Sequence, residues 1–212
     1  ICLLALPRAA GPRRRLPRVP RPGDFFSRGA LLPSAILLFL YLPYGAVLAF
    51  IPLIATARGL GNPGLFYTVY AVAMLLVRAK AGELSDARGR AAVILPGSLV
   101  AAAALAVLGA TTAPGGVLLG AGLLGAAVGS VQPALMALTT DRTAPEDRGK
   151  AMGTFYTAWE AGIALGAAAS GWLLPLTDVA ALFLGAAAMP LAGAALALRA
   201  RGRQGGAAGT SV

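Results

Sequence analysis

The sequence predicts an all-α membrane protein, six transmembrane helices arranged as two inverted three-helix repeats. Three observations carry that prediction. Residues 91–140 hold no charged side chain, and neither do 29–57 or 179–198, whereas a helix needs roughly 20 apolar residues to cross the hydrocarbon core. Of the lysines and arginines, all but Arg58 fall in segments that a six-span topology puts on one side. The stretch Gly64–Leu84 returns, at a constant offset, as Gly153–Leu173.

Composition points the same way. Hydrophobic residues make up 58% of the 212 and charged residues 12%, with a mean hydropathy of +0.75; soluble domains carry about 25% charged residues. Only helices and closed barrels satisfy their backbone in lipid, and barrel strands would alternate polar with apolar, which these runs do not. The chain has no histidine, and its single cysteine is Cys2. Disulfide frameworks, Cys/His metal sites and Ser-His or Cys-His catalysis are therefore excluded within it. The formal charge of +10 reads as loops facing anionic headgroups, not as a nucleic-acid surface.

Taken in order, residues 1–30 open with "ICLLALPRAAGPRRR", where the charges follow the apolar patch instead of preceding it, so a signal peptide is not indicated. They are expected to be the end of a preceding helix and a basic, Pro-rich cytoplasmic linker. Spans are expected at about 31–56, 62–80, 91–111, 115–139, 150–174 and 178–198, with a tail at 201–212. The breakers "RGLGNPG" (58–64), "TTAPGG" (111–116) and "LPLTD" (174–178) mark the turns on one side. The basic residues lie on the other: Arg8 to Arg28 before the first span, Arg78, Lys80, Arg88 and Arg90 around the second loop, Arg142, Arg148 and Lys150 in the fourth, Arg199 to Arg203 in the tail. The positive-inside rule then puts both termini in the cytoplasm of a multi-pass cytoplasmic-membrane protein.

The repeat pairs Gly64, Phe66, Tyr67 and Thr68 with Gly153, Phe155, Tyr156 and Thr157, and continues to Leu84 and Leu173. The first copy runs out to in, the second in to out. Such inverted units place their site near the midplane. Within the second copy one position stands apart: Glu160, where the first has Ala71. Ten residues beyond Lys150, it lies ~15 Å along the helix, half of a ~30 Å core. An ionised carboxylate facing lipid there costs at least about 2.5 kcal/mol, so it is expected to face the bundle interior or a watery cavity. It is the candidate proton-coupling or substrate group; the alternative is a protonated glutamate bonded to a neighbouring helix, or one snorkelling along a tilted span. Tyr41 and Tyr44 of the first span, Tyr67, Tyr70 and Met74 of the second, Gln132 and Met136 of the fourth, and Tyr156 and Trp159 of the fifth are candidate cavity lining for an amphipathic or cationic organic solute. Aromatics also form interface belts, and Arg78 reads as a snorkelling or gating residue. The third and sixth spans carry almost no polar side chain beyond Ser98 and read as lipid-facing supports.

At 82–90 stands "GELSDARGR", which resembles the signature loop of the major facilitator superfamily. Gly82, Asp86, Gly89 and Arg90 match; Ala87 stands where a basic residue is usual, with Arg88 as a partial stand-in. "TAPEDRGKAMG" at 143–153 also resembles that family's entry into the fifth helix of a half. Gly153, Gly162, Gly166 and Gly171 echo its antiporter motif, although Ala167 replaces a proline and Ser170 a glycine; close helix packing explains such spacing as well. The run "RGALLPSAILLFLYLPYGAVLAFIPL" looks like efflux-type members, and the fourth span lacks the arginine of first halves. The resemblance implies a C-terminal six-helix half, alternating access and a cytoplasmic gate at 82–90. Its implied partners are a small-molecule substrate, protons, the bilayer and a missing N-terminal half or second copy. It implies no cofactor and no enzyme. An uptake permease or facilitator, or a truncated non-transporting membrane protein, is the alternative.

Overall fold

The computed structural model describes residues 26–208; the segment 1–25, with Cys2 and most of the expected linker, and the end of the tail lie outside them. After a single 3-10 turn at Arg28–Ala30 come α1 (Leu31–Ala57), α2 (Gly64–Arg88), α3 (Ala91–Ala110), α4 (Pro114–Asp141), α5 (Arg148–Leu173), α6 (Val179–Ala186) and α7 (Ala188–Ala208). No strand occurs among the described residues. By length and composition, 28–57, 64–88, 91–110, 114–141 and 179–199 can each cross a membrane. α5 has the length, 26 residues, but its Thr, Tyr, Trp and Glu160 make it less apolar.

Two boundaries differ from those expected. The second span was expected to stop near 80, but α2 continues to Arg88, because "KAGELSDAR" is built mostly of good helix formers. The signature segment is thus largely helix, and its turn is the single residue Gly89, whose φ of 85° suits glycine. The sixth span is broken at Ala187. Pro190 has no N–H for the carbonyl of Ala186, and its ring crowds that carbonyl, so α6 ends there. At the other end of α6, Asp178 caps the helix by accepting from the Ala181 N–H at 2.6 Å.

Packing follows the repeat. α1 lies along α5 and α4 along α2; α4 also packs on α3 and α1 on α7, while α3 touches α6 and α7. Exchanging the first three spans for the last three maps each contact onto its partner. The repeated "GxFYT" units behave alike. Phe66 and Phe155 are both fully buried, and each meets its following tyrosine edge-on, at 5.4 and 5.9 Å between ring centres. Thr68 donates to the Gly64 carbonyl at 3.2 Å and Thr157 to the Gly153 carbonyl at 2.8 Å. Yet Phe66 joins the apolar cluster of Ile51, Leu105, Leu108 and Phe183, whereas Phe155 joins that of Ile36, Leu40, Ile94 and Leu135. The two copies anchor at different clusters, as opposite orientations demand.

Glycine lets the paired helices touch backbone to backbone. A Cβ on Gly45 would strike the α5 backbone at Ile163 and Ala167, and one on Gly166 would strike the Leu42 carbonyl. Gly125 and Gly129 of α4 sit likewise against Tyr70 and Met74 of α2. Gly153 and Gly171 have no such neighbour, so the packing account covers Gly162 and Gly166 only. Gly166→Leu is expected to push α5 off α1 and to lower stability by ~3 kcal/mol, with Gly171→Ala near neutral. Thermal unfolding in detergent micelles checks this, and equal melting of the two variants would refute it.

Candidate functional site

Four helices enclose a cavity of about 600 Å³. Tyr41 and Tyr44 enter from α1, Tyr70, Met74 and Arg78 from α2, Val128, Gln132, Pro133 and Met136 from α4, and Tyr156, Trp159, Glu160 and Ile163 from α5. None of the lining comes from α3, α6 or α7. Helical spacing accounts for the membership. Positions 70, 74 and 78 stand one turn apart on α2, 128, 132 and 136 likewise on α4, and 156, 159, 160 and 163 share one face of α5.

Five aromatic rings run across the wall in one chain. Tyr70 and Tyr44 lie 5.8 Å apart, Tyr44 and Tyr41 5.3 Å, Tyr41 and Trp159 5.1 Å. Trp159 then stacks on Tyr156 at 5.6 Å and 20°. Contacts of this kind contribute about 0.5–1.5 kcal/mol each beyond their burial, so the wall is a stiff surface. It presents flat π faces, with Gln132 as an amide donor and acceptor.

Two opposite charges share this cavity. Glu160 on α5 and Arg78 on α2 both line it and both are exposed. Among the described residues the ion pairs are those of Arg90, so Glu160 and Arg78 are not bridged to each other. Of the candidate lining residues, Tyr67 alone falls outside the wall; it packs on Phe66 in the other apolar cluster. Arg78, Val128, Pro133 and Ile163 join it. Helical period would have found Arg78, one turn beyond Met74, but its place near the end of an apolar run suggested snorkelling or gating instead.

The residues of the signature segment gather only in part. Arg90 donates through Nε to Asp141 Oδ2 at 2.9 Å, and through Nη1 to Asp86 Oδ1 and to Ser85 Oγ at 3.2 Å. The Asp141 bond, ahead of that to Asp86, holds the guanidinium above its ordinary pKa. One arginine therefore ties the end of α2 to the end of α4. Gly89 makes the turn that allows it; Gly82 has open space around its Cα, and Arg88 is exposed without a partner among the described residues. Sequence reasoning missed Asp141. The signal was there, since Asp141 is the first charge after the long apolar run. At the opposite end Arg58 plays a simpler part, donating to the Leu108 carbonyl at 2.5 Å and so closing the end of α3.

A family model described as Major Facilitator Superfamily matches residues 34–210. The chain is also 30% identical, over 153 residues, to an uncharacterized MFS-type transporter of Salmonella typhimurium strain LT2. That alignment covers 72% of this chain and 39% of the relative, so the matched part spans well under half of that relative's length.

With Cys2 replaced by serine, single cysteines at Met74 and Met136 are expected to react with a membrane-impermeant maleimide in proteoliposomes. A cysteine at Leu99, exposed on α3 away from the cavity, is expected to stay unlabelled. Absence of labelling at positions 74 and 136, as at position 99, would show that the cavity does not hold water.

Proposed function

Since the chain belongs to the major facilitator superfamily, we propose that it is one six-helix half of a membrane transporter that exports a small organic molecule in exchange for protons. The observation that carries this reading is the placement of Glu160 in a cavity walled by four helices of one half. Protons and a cationic or amphipathic solute compete to neutralise that carboxylate. The aromatic wall supplies the contact area for the solute. The remaining wall comes from a second six-helix unit, in a longer chain or a second copy, and the two units rock about the midplane.

The basic end faces the cytoplasm in this proposal. There the Asp86–Arg90–Asp141 clasp acts as a latch that opens and closes as the halves rock. Its side chains are partly exposed, and exposed ion pairs contribute only ~0–1 kcal/mol. A latch that weak breaks within an ordinary transport cycle.

A second reading rests on Arg78. As a counter-charge in the same cavity, it would allow Glu160 to stay ionised throughout, with the substrate moving down its own gradient in either direction. Glu160→Gln separates the two. On the antiport reading, uptake of solute into inside-acid vesicles, where protons leave as solute enters, falls about tenfold or more in the variant, a loss of ~1.4 kcal/mol of coupling, while solute-for-solute counterflow continues. Unchanged pH-driven movement in the variant sinks the coupling role of Glu160, and a parent protein with counterflow but no pH-driven movement decides for the facilitator.

A further inference from the structure

A second crevice, of about 200 Å³, opens at the basic end, away from the central cavity. Its walls are Leu32 and Ile36 of α1, Ile94 of α3, Leu138 of α4 and Ala197 of α7, all apolar. Its mouth is Arg88, Arg90 and Arg142. Arg90 is engaged by Asp86 and Asp141. The side chains of Arg88 and Arg142 have neither a hydrogen-bond nor an ion-pair partner among the described residues. Two free guanidinium groups thus stand at one small opening, each with a planar fork suited to the oxygens of a phosphate. The start of α3, at Ala91, lines the same opening and adds the positive end of a 20-residue helix.

The position of the crevice narrows the ligand further. Arg88 is the last residue of α2, Arg90 precedes α3 and Arg142 caps α4. In a chain of membrane-length helices these termini lie at the level of the headgroups. A free anion gains nothing from the apolar walls, whereas the first carbons of an acyl chain do. We propose that this crevice binds the phosphate headgroup of an anionic phospholipid from the leaflet at the basic end.

The test is native mass spectrometry of the full chain in mild detergent, titrated with phosphatidylglycerol or phosphatidylcholine. One phosphatidylglycerol is retained per chain and phosphatidylcholine is not. The double variant Arg88→Gln/Arg142→Gln weakens retention about tenfold or more. Arg88→Lys/Arg142→Lys keeps the charges and restores part of it. Lys80→Gln/Lys150→Gln removes the same charge from the same end but outside the crevice, and leaves retention within about twofold if the site is local. Equal loss in that control overturns the site in favour of diffuse attraction to a basic surface. Equal retention of both lipids overturns the anionic requirement. Full displacement of phosphatidylglycerol by millimolar inorganic phosphate makes the crevice a free-phosphate site and overturns the lipid assignment.

Discussion

The rest of the structure depends on the close approach of α1 to α5 and of α2 to α4. Lipid tails are as apolar as leucine, so burying apolar surface does not drive helices together inside a bilayer; dispersion between closely fitted backbones does. Gly45 and Gly166 provide that fit for one pair, Gly125 and Gly129 for the other. The cavity is a by-product of the same contacts. A Cβ on Gly162 would meet the Cβ of Tyr41, and Gly125 and Gly129 rest against the backbones of Tyr70 and Met74. The helical turns that the glycines admit are thus the turns that carry the aromatic wall. A bulkier residue at these points would move the binding surface as well as the helix.

The repeat explains how one architecture holds two unlike charges. Its copies share the glycine, the buried phenylalanine, the edge-on tyrosine and the back-bonded threonine. They differ where charge enters. Glu160 corresponds to Ala71, and Arg78 corresponds to Ala167 at the same offset. Each copy contributes one charge to the shared cavity, of opposite sign, while the other keeps a small residue there. The scaffold is symmetric because packing is indifferent to direction. The chemistry is asymmetric because a single carboxylate and a single guanidinium are enough to polarise an apolar cavity of this size.

At the basic end one guanidinium serves two helices. Arg90 reaches both Asp86 and Asp141 because α2 runs a further two turns beyond its apolar stretch and Gly89 then reverses the chain at positive φ. Without that extension Asp86 would stand on a loop, and its distance from Asp141 would vary. The clasp therefore couples helix length to charge placement, and it leaves Arg88 and Arg142 unengaged at the mouth of the basic crevice.

The sequence by itself determined the helical class, the number of spans, the inverted repeat and the side on which basic residues gather. Those features are encoded in runs of apolar residues and in charge counts, both of which are local. It also picked out most of the cavity, from Tyr41 to Trp159 and Glu160, because polar and aromatic groups inside membrane spans are few and costly. Only the tertiary structure decided that Tyr67 packs on Phe66 and leaves the wall, that Arg78 joins it, and that Asp141 completes the clasp. Each of these turns on the rotation of one helix about its axis relative to another. That rotation is set by which glycine meets which backbone across the interface, and no local pattern in a single chain records it.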